Sequence, residues 1–224
     1  MTVATFVLIH GGGDVGWYWH LVGRELRRRG HDTLAPDLPC DDDSAGLAEY
    51  ADTVVKAIGG RRGLIVAAQS LGGFTAPLVA ARVPVDMLVL VAGMIPAPGE
   101  APEDWPANTG FDGVMRQQAQ RYSGQDLIYH DVPPALAEQA RRNAREQSDT
   151  PGHAAWPLEA WPSVPTRFVL CTEDRLFPPE FMRRVVADRL GIVPDEIAAG
   201  HAVALSRPKE LADLLASYSA PSRE

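Results

Sequence analysis

The sequence predicts an α/β protein: a mostly parallel central sheet with helices on both faces and one helical insertion set ahead of the fifth strand. Three observations carry that prediction. Short apolar runs alternate along the chain with segments of helical period, and a parallel crossover needs a connection of helix length. The runs are apolar at nearly every position rather than at every second one, the pattern of strands covered on both faces. The alternation then stops near Ile95 and resumes near Pro165, with nine prolines and three tryptophans between.

Val3–Ile9 (VATFVLI) is the first strand. A helix over Trp17–Arg29 follows, with Leu21, Val22 and Leu26 at helical spacing and Gly30 as its stop. His31–Pro36 is the second strand, and Ala45–Ile58 a helix with Leu47, Ala51, Val54, Val55 and Ile58 on one face. Gly63–Ala68 (GLIVAA) is a buried strand feeding a helix that runs to about Arg82. Val85–Ala92 is the most apolar strand. Two helical pieces, Phe111–Tyr122 and Pro134–Gln147, lie inside the interruption. Afterwards come a strand at Thr166–Cys171, a helix at Pro178–Leu190, a strand at Ile192–Ala198 and a closing helix at Arg207–Tyr218. Residues 1–95 and 164–224 therefore read as one core and 96–163 as an inserted lid, because inserts of that length are seldom plain loops and are commonly functional.

A chain of 224 residues, 46% hydrophobic and 22% charged, is long enough for one well-packed core and short of two. Its formal charge of −8 repels phosphate backbones and anionic lipid, so neither nucleic acid nor a membrane is an expected partner. The longest apolar run, Met87–Ile95, is less than half the ~20 residues a membrane-spanning helix needs. No basic segment or cleavage signal precedes the first strand, so no signal peptide is expected. The two cysteines, Cys40 and Cys171, sit in unrelated contexts with no disulfide or metal pattern. The expected compartment is the cytoplasm, with both thiols inert; a homodimer is compatible with the sequence.

Two glycine-rich turns carry the candidate chemistry. His10-Gly11-Gly12-Gly13 ends the first strand, where glycines in series let the backbone turn sharply and present N–H groups to an oxygen or phosphate. The same loop satisfies G-x-G-x-x-G through Gly11, Gly13 and Gly16, with Asp37 about twenty residues on, as in a dinucleotide fingerprint. Against that reading, Trp17, Tyr18 and Trp19 crowd the place where a pyrophosphate must approach, and Pro36 fits poorly at the end of a central strand. The second turn, Ala68-Gln69-Ser70-Leu71-Gly72, decides the matter. A serine on a sharp strand-to-helix turn needs small residues two before and two after it, and Ala68 and Gly72 fill those places. The usual motif has glycine where Ala68 stands, a departure of one methyl. Pro77 costs the following helix one hydrogen bond.

A nucleophilic serine needs a base, and the base an orienting acid. Of six histidines, His201 in Gly200-His201-Ala202 follows the last strand, where a loop can bring it onto Ser70. Thr172-Glu173-Asp174 follows the strand Thr166–Cys171, with Asp174 the preferred acid and Glu173 the fallback. No His-Glu-x-x-His, no paired His/Cys ligands and no Gly-Lys-Ser/Thr loop occur, so neither a metal nor a cofactor is expected.

Taken together, four segments in this order resemble the α/β-hydrolase superfamily over essentially the whole chain. They are Leu8-Ile9-His10-Gly11-Gly12-Gly13 with Trp17, Gln69-Ser70-Leu71-Gly72-Gly73, Thr172-Glu173-Asp174 with Phe177, and Gly200-His201. The likeness is strongest to the small-lid branch of plant methylesterases, hydroxynitrile lyases and related bacterial esterases. It implies the α/β-hydrolase fold, with Ser70 as nucleophile, His201 as general base and acid, and Asp174 holding the imidazole. It also implies an oxyanion hole from the backbone N–H groups of Gly12 and Leu71, with Gly11 assisting the turn beside the substrate. The lyases of this branch carry threonine directly after the glycine-loop histidine and lysine directly after the catalytic one. Here Gly11 and Ala202 stand there, offering neither hydroxyl nor charge.

The expected reaction is hydrolysis of a carboxylic ester of a small or medium, largely apolar substrate through an acyl-enzyme. Met94, Trp105, Trp156, Leu176 and Phe177 are the expected walls of a lid-covered pocket, with Leu71, Phe111 and Trp161 as further candidates. A cofactor-free lyase or perhydrolase on the same triad and a non-catalytic ligand-binding relative are the alternatives.

Overall fold

The computed structural model describes residues 3–219. Met1 and Thr2, where the stretch read for a leader signal begins, lie outside the described residues. Six strands form one all-parallel sheet in the order β2-β1-β3-β4-β5-β6. They are β1 Thr5–Ile9, β2 Asp32–Leu34, β3 Leu64–Gln69, β4 Met87–Val91, β5 Thr166–Cys171 and β6 Asp195–Ile197. Successive strand residues point to opposite faces. Val7, Ile9, Val66, Ala68, Leu88, Leu90, Phe168 and Leu170 enter one core; Phe6, Leu8, Ile65, Ala67, Val89, Val91, Val169 and Cys171 enter the other. Both faces are covered, which is why the strands read as unbroken apolar runs.

Three helices precede the interruption: α1 His20–Arg28, α2 Leu47–Ile58 and α3 Gly72–Ala80. Within it lie α4 Trp105–Thr109, α5 Phe111–Arg121, α6 Pro134–Asn143 and α7 Thr150–His153. After it come α8 Pro179–Leu190, α9 Val203–Ser206 and α10 Pro208–Ser217. Side chains of α2, α3 and α8 fill the first core, those of α1, α9 and α10 the second. Among the described residues no helix is long and apolar enough to cross a membrane. Cys40 and Cys171 are buried and unbridged, and burial pushes both thiols up.

Several boundaries differ from the sequence reading. The Trp17–Arg29 helix opens as a 3-10 turn over Gly16–Trp19 before α1 begins. The strand expected over Ile192–Ala198 pairs over three residues only, beginning just past Pro194, which has no N–H to donate. The helix expected to reach Gln147 ends at Asn143 because the next residues are claimed by the glycine loop. Arg145 N–H donates to the Gly13 carbonyl at 2.8 Å, and the Gln147 side-chain oxygen accepts from Gly13 N–H at 2.9 Å.

The strand order places the site. The chain steps from β1 outward to β2 and then returns past β1 to β3, so the connections leaving β1 and β3 diverge and open a crevice at their carboxyl ends. Register fixes what faces that crevice. Ile9 pairs with Ala68 and Gln69 with Val91, so the loop after β1 and the turn after β3 emerge side by side.

Candidate active site

Ser70 leaves β3 with φ at 50°, one of two non-glycine residues with positive φ among those described. Such a backbone costs on the order of 1–3 kcal/mol and persists only where its surroundings fix it. Here the Ser70 carbonyl accepts from Gly73 N–H at 3.0 Å and Met94 N–H at 2.9 Å. Small residues make the turn fit. A side chain at Gly72 would put its Cβ 2.7 Å from the His10 carbonyl, and one at Gly73 would come within 1.9 Å of the Met94 carbonyl.

His201 and Asp174 meet. His201 Nδ1 lies 2.8 Å from Asp174 Oδ2, both side chains almost fully buried. The other Asp174 oxygen accepts from the N–H groups of Leu176 at 2.8 Å and Phe177 at 2.9 Å. With no proton of its own, that carboxylate assigns the Nδ1 hydrogen to His201 and leaves Nε2 as an acceptor. Glu173 is exposed, with its carbonyl, not its carboxylate, bonded to His130. Phe177 stands edge-on to the imidazole, ring centroids 5.1 Å apart.

The Nε2 acceptor is taken, though not by Ser70: the Gln69 side-chain N–H donates to it at 2.9 Å. Gln69 is buried and its carbonyl end fills the space beside Gly11, where an added Cβ would meet Oε1 at 2.4 Å. Gly11 thus makes room for the amide that touches His201 and does not itself line the cavity. The sequence reading missed Gln69, although it sits directly before Ser70 in the motif already singled out.

The glycine loop has two kinds of N–H. Gly13 N–H is bound by Gln147, whereas Gly12 N–H and Leu71 N–H meet no acceptor among the described residues. Leu71 also precedes the first turn of α3, whose dipole favours negative charge. His10 is structural: Nδ1 donates to the Gly11 carbonyl at 2.8 Å, Nε2 accepts from Leu38 N–H at 2.9 Å, and burial lowers its pKa. Asp37, the acid of the dinucleotide-like pattern, spends its carboxylate on Gly16 N–H at 2.8 Å and on Arg145.

A cavity of about 320 Å³ opens over Ser70. Gly12, Leu71, Met94, Leu176 and His201 border it together with Ala202, the position weighed against the lyases, and so do Asp14, Tyr18, Ile128 and Tyr129, which the sequence reading did not name as walls. Trp105, Trp156 and Phe177 are placed elsewhere, a correction to the expected pocket walls. Trp105 is fully buried among Phe111, Phe177 and Phe181, its N–H donating to the Ile95 carbonyl at 3.0 Å. Trp156 stacks on Trp161 and donates to the Phe74 carbonyl at 3.1 Å. A large apolar ring whose N–H finds a carbonyl is a better anchor than a wall; both tryptophans pin the insertion to the core.

Asp14 differs from every other group in the cavity. One oxygen accepts from Val15 N–H at 2.9 Å, and burial raises its carboxyl to about 6. The insertion also grips the histidine loop, Asp131 accepting from Gly200 N–H at 2.7 Å.

These features define an α/β hydrolase. The family model described as the alpha/beta hydrolase family matches residues 6–214, and the chain belongs to that family. It is similar to the rice protein called probable esterase PIR7A, at 29% identity over 96% of each chain, and to norfluorocurarine synthase 1 of Strychnos, at 24% identity over 94% of this chain and 93% of that one. A crystal structure of polyneuridine aldehyde esterase shares the fold with a TM-score of 0.81 at 21% identity, covering 98% of this chain and 100% of that one.

Proposed function

We propose that this protein is a serine hydrolase that cleaves a carboxylic ester of a small or medium substrate through an acyl-enzyme. One observation carries the reading: a serine held at positive φ shares a cavity with a buried imidazole whose far nitrogen is bound to a carboxylate. Similarity to proteins named as esterases supports it.

Ser70 Oγ attacks the ester carbonyl while His201 Nε2 takes its proton, the Nε2 lone pair passing from the Gln69 amide to the serine as substrate binds. Asp174 keeps the Nδ1 tautomer and stabilises the imidazolium. The N–H groups of Gly12 and Leu71, which meet no acceptor among the described residues, receive the oxyanion, so no hydrogen bond within those residues has to break for them to act. His201 then protonates the departing alcohol and activates a water against the acyl-enzyme. Leu71, Met94, Ile128 and Leu176 give the acyl or alcohol chain an apolar bed. Ala202, where a lyase of this branch has lysine, borders the cavity and brings no charge to a leaving anion.

A fluorophosphonate probe tests the assignment. It should modify Ser70 stoichiometrically, and Ser70→Ala should abolish labelling and lower ester turnover by roughly three orders of magnitude or more. Labelling at another residue, with Ser70→Ala still active, would refute it.

A further inference from the structure

Apart from His201, Asp14 is the one ionisable group other than a phenol among the residues that line the cavity over Ser70. It follows the glycine loop directly, and its backbone carbonyl is the acceptor for the Cys40 thiol at 3.5 Å, which ties the residue in place. One carboxylate oxygen is satisfied by Val15 N–H; the other meets no donor among the described residues and stays open to the cavity, although the residue as a whole is buried. A buried carboxylate normally takes a cation or several N–H groups. Asp174, in the same molecule, takes both an imidazole and two N–H groups. Asp14 has one.

The surroundings say what would complete it. No arginine or lysine borders the cavity; Arg141 and Arg145, on the insertion, are paired to Asp126 and to Asp37 and Asp41. Tyr18 and Tyr129 line the same space. The Tyr18 hydroxyl accepts from Ala204 N–H at 3.4 Å, and burial lifts the Tyr129 phenol to about 12, so both rings stay neutral. A carboxylate that shares its cavity with two neutral phenol rings, in a protein of net charge −8, is a site for a cation and repels an anion.

We propose that Asp14, with Tyr18 and Tyr129, is a specificity subsite that takes a protonated amine carried by the substrate, the apolar part of which lies on Leu71, Met94 and Leu176. This rests on the hydrolase reading above and deepens it: the ester is a basic one, with an ammonium group at one end of an apolar body. Asp14 takes no part in the bond-making steps; it sets which ester is held over Ser70.

Binding and turnover separate the two readings. Two methyl ketones that imitate the acyl part, 5-(dimethylamino)pentan-2-one and its carbon isostere 6-methylheptan-2-one, are titrated by NMR into Ser70→Ala protein at pH 8. The amine should bind at least about tenfold tighter, an increment expected of a hydrogen bond to a charged group, and adding Asp14→Asn should bring the ratio to about one. Equal binding of the pair, or a preference that survives Asp14→Asn, overturns the subsite. In parallel, ethyl 4-(dimethylamino)butyrate and ethyl 5-methylhexanoate are followed by pH-stat with the unaltered protein, and kcat/KM should favour the amine ester by a similar factor. Ser70-dependent hydrolysis of both esters at equal kcat/KM overturns the subsite and leaves the hydrolase standing. An amine preference in binding with no hydrolysis of either ester overturns the hydrolase and leaves the subsite standing.

Discussion

Two aspartates leave the sheet at the carboxyl ends of β1 and β5, and their surroundings differ more than their burial. Asp174, after β5, is fully provided for: an imidazole on one oxygen and two backbone N–H groups on the other. Asp14, after β1, has one N–H and faces the cavity over Ser70. A carboxylate that is completed by its own chain serves to hold a neighbour still. One with an oxygen open to a cavity is free to take a group from outside, and carboxylates with perturbed titration concentrate at functional sites. The loop after β5 is finished; the loop after β1 is not.

The largest expected effect falls on the finished side. Asp174→Asn should lower kcat about 10⁴-fold, because an amide in place of the carboxylate admits the wrong imidazole tautomer. Steady-state kinetics on any hydrolysed ester checks this, and a loss below tenfold would break the contrast between the two loops. Glu173→Gln should change kcat less than about twofold, as its side chain is exposed and His201 is bonded to Asp174 and Gln69 instead.

On the unfinished side, the backbone comes next. Gly12→Val should lower kcat by about 10²–10³, the scale of losing one oxyanion donor. A Cβ there already stands 3.3 Å from Leu71 Cδ2, so a branched side chain must push the loop away from the Leu71 N–H it works beside. Retained kcat with a raised KM would transfer Gly12 from the chemistry to substrate binding.

The smallest effect concerns stability. An acid raised from 3.8 to about 6 in the folded state holds its proton more tightly there than in the unfolded chain. Stability associated with it is therefore complete below about pH 4 and lost as pH rises through 6, amounting to about 3 kcal/mol above pH 7. Asp14→Asn removes that loss. Its Tm should match the unaltered protein near pH 4 and exceed it by roughly 6–10 °C at pH 8, read by calorimetry. Cys40, Tyr18 and Tyr129 are all pushed up, above this window, and do not contribute to the difference. A variant with unchanged or lower Tm at pH 8 would show that Asp14 is provided for after all.

The legible parts of the molecule were those in which one physical demand selects the residue. Strands covered on both faces must be apolar throughout, so β1, β3, β4 and β5 stood out. The turn at Ser70 tolerates only small neighbours, which Ala68 and Gly72 advertise. What could not be read depends on contacts distant in sequence. Ala144–Gln147 is a good helical continuation by itself, yet the Gly13 backbone draws it out of helix. Trp105 and Trp156 lie in a segment that invites a lid reading, but ring size and a nearby carbonyl put them in the core. Gln69 and Asp14 lay inside motifs as positions of no fixed identity, and only the fold shows what they touch. The helices α4, α7 and α9, of four or five residues each, are too short to show a period.

The bracing of Gly13 by Gln147 also bears on the order in which the molecule is assembled. The turn at Ser70 is closed by Met94, near in sequence, so its strained backbone can be set while the rest of the chain is still being made. The glycine loop waits for a residue 134 positions on, and Gln69 for His201, 132 positions on. Such distant closures are the last to be rewarded as a chain folds. Under the proposed mechanism a nascent chain therefore presents its serine well before it owns a base or a finished anion pocket. On that mechanism, reactivity arrives only with the last contacts to close, Gly13 with Gln147 and Gln69 with His201.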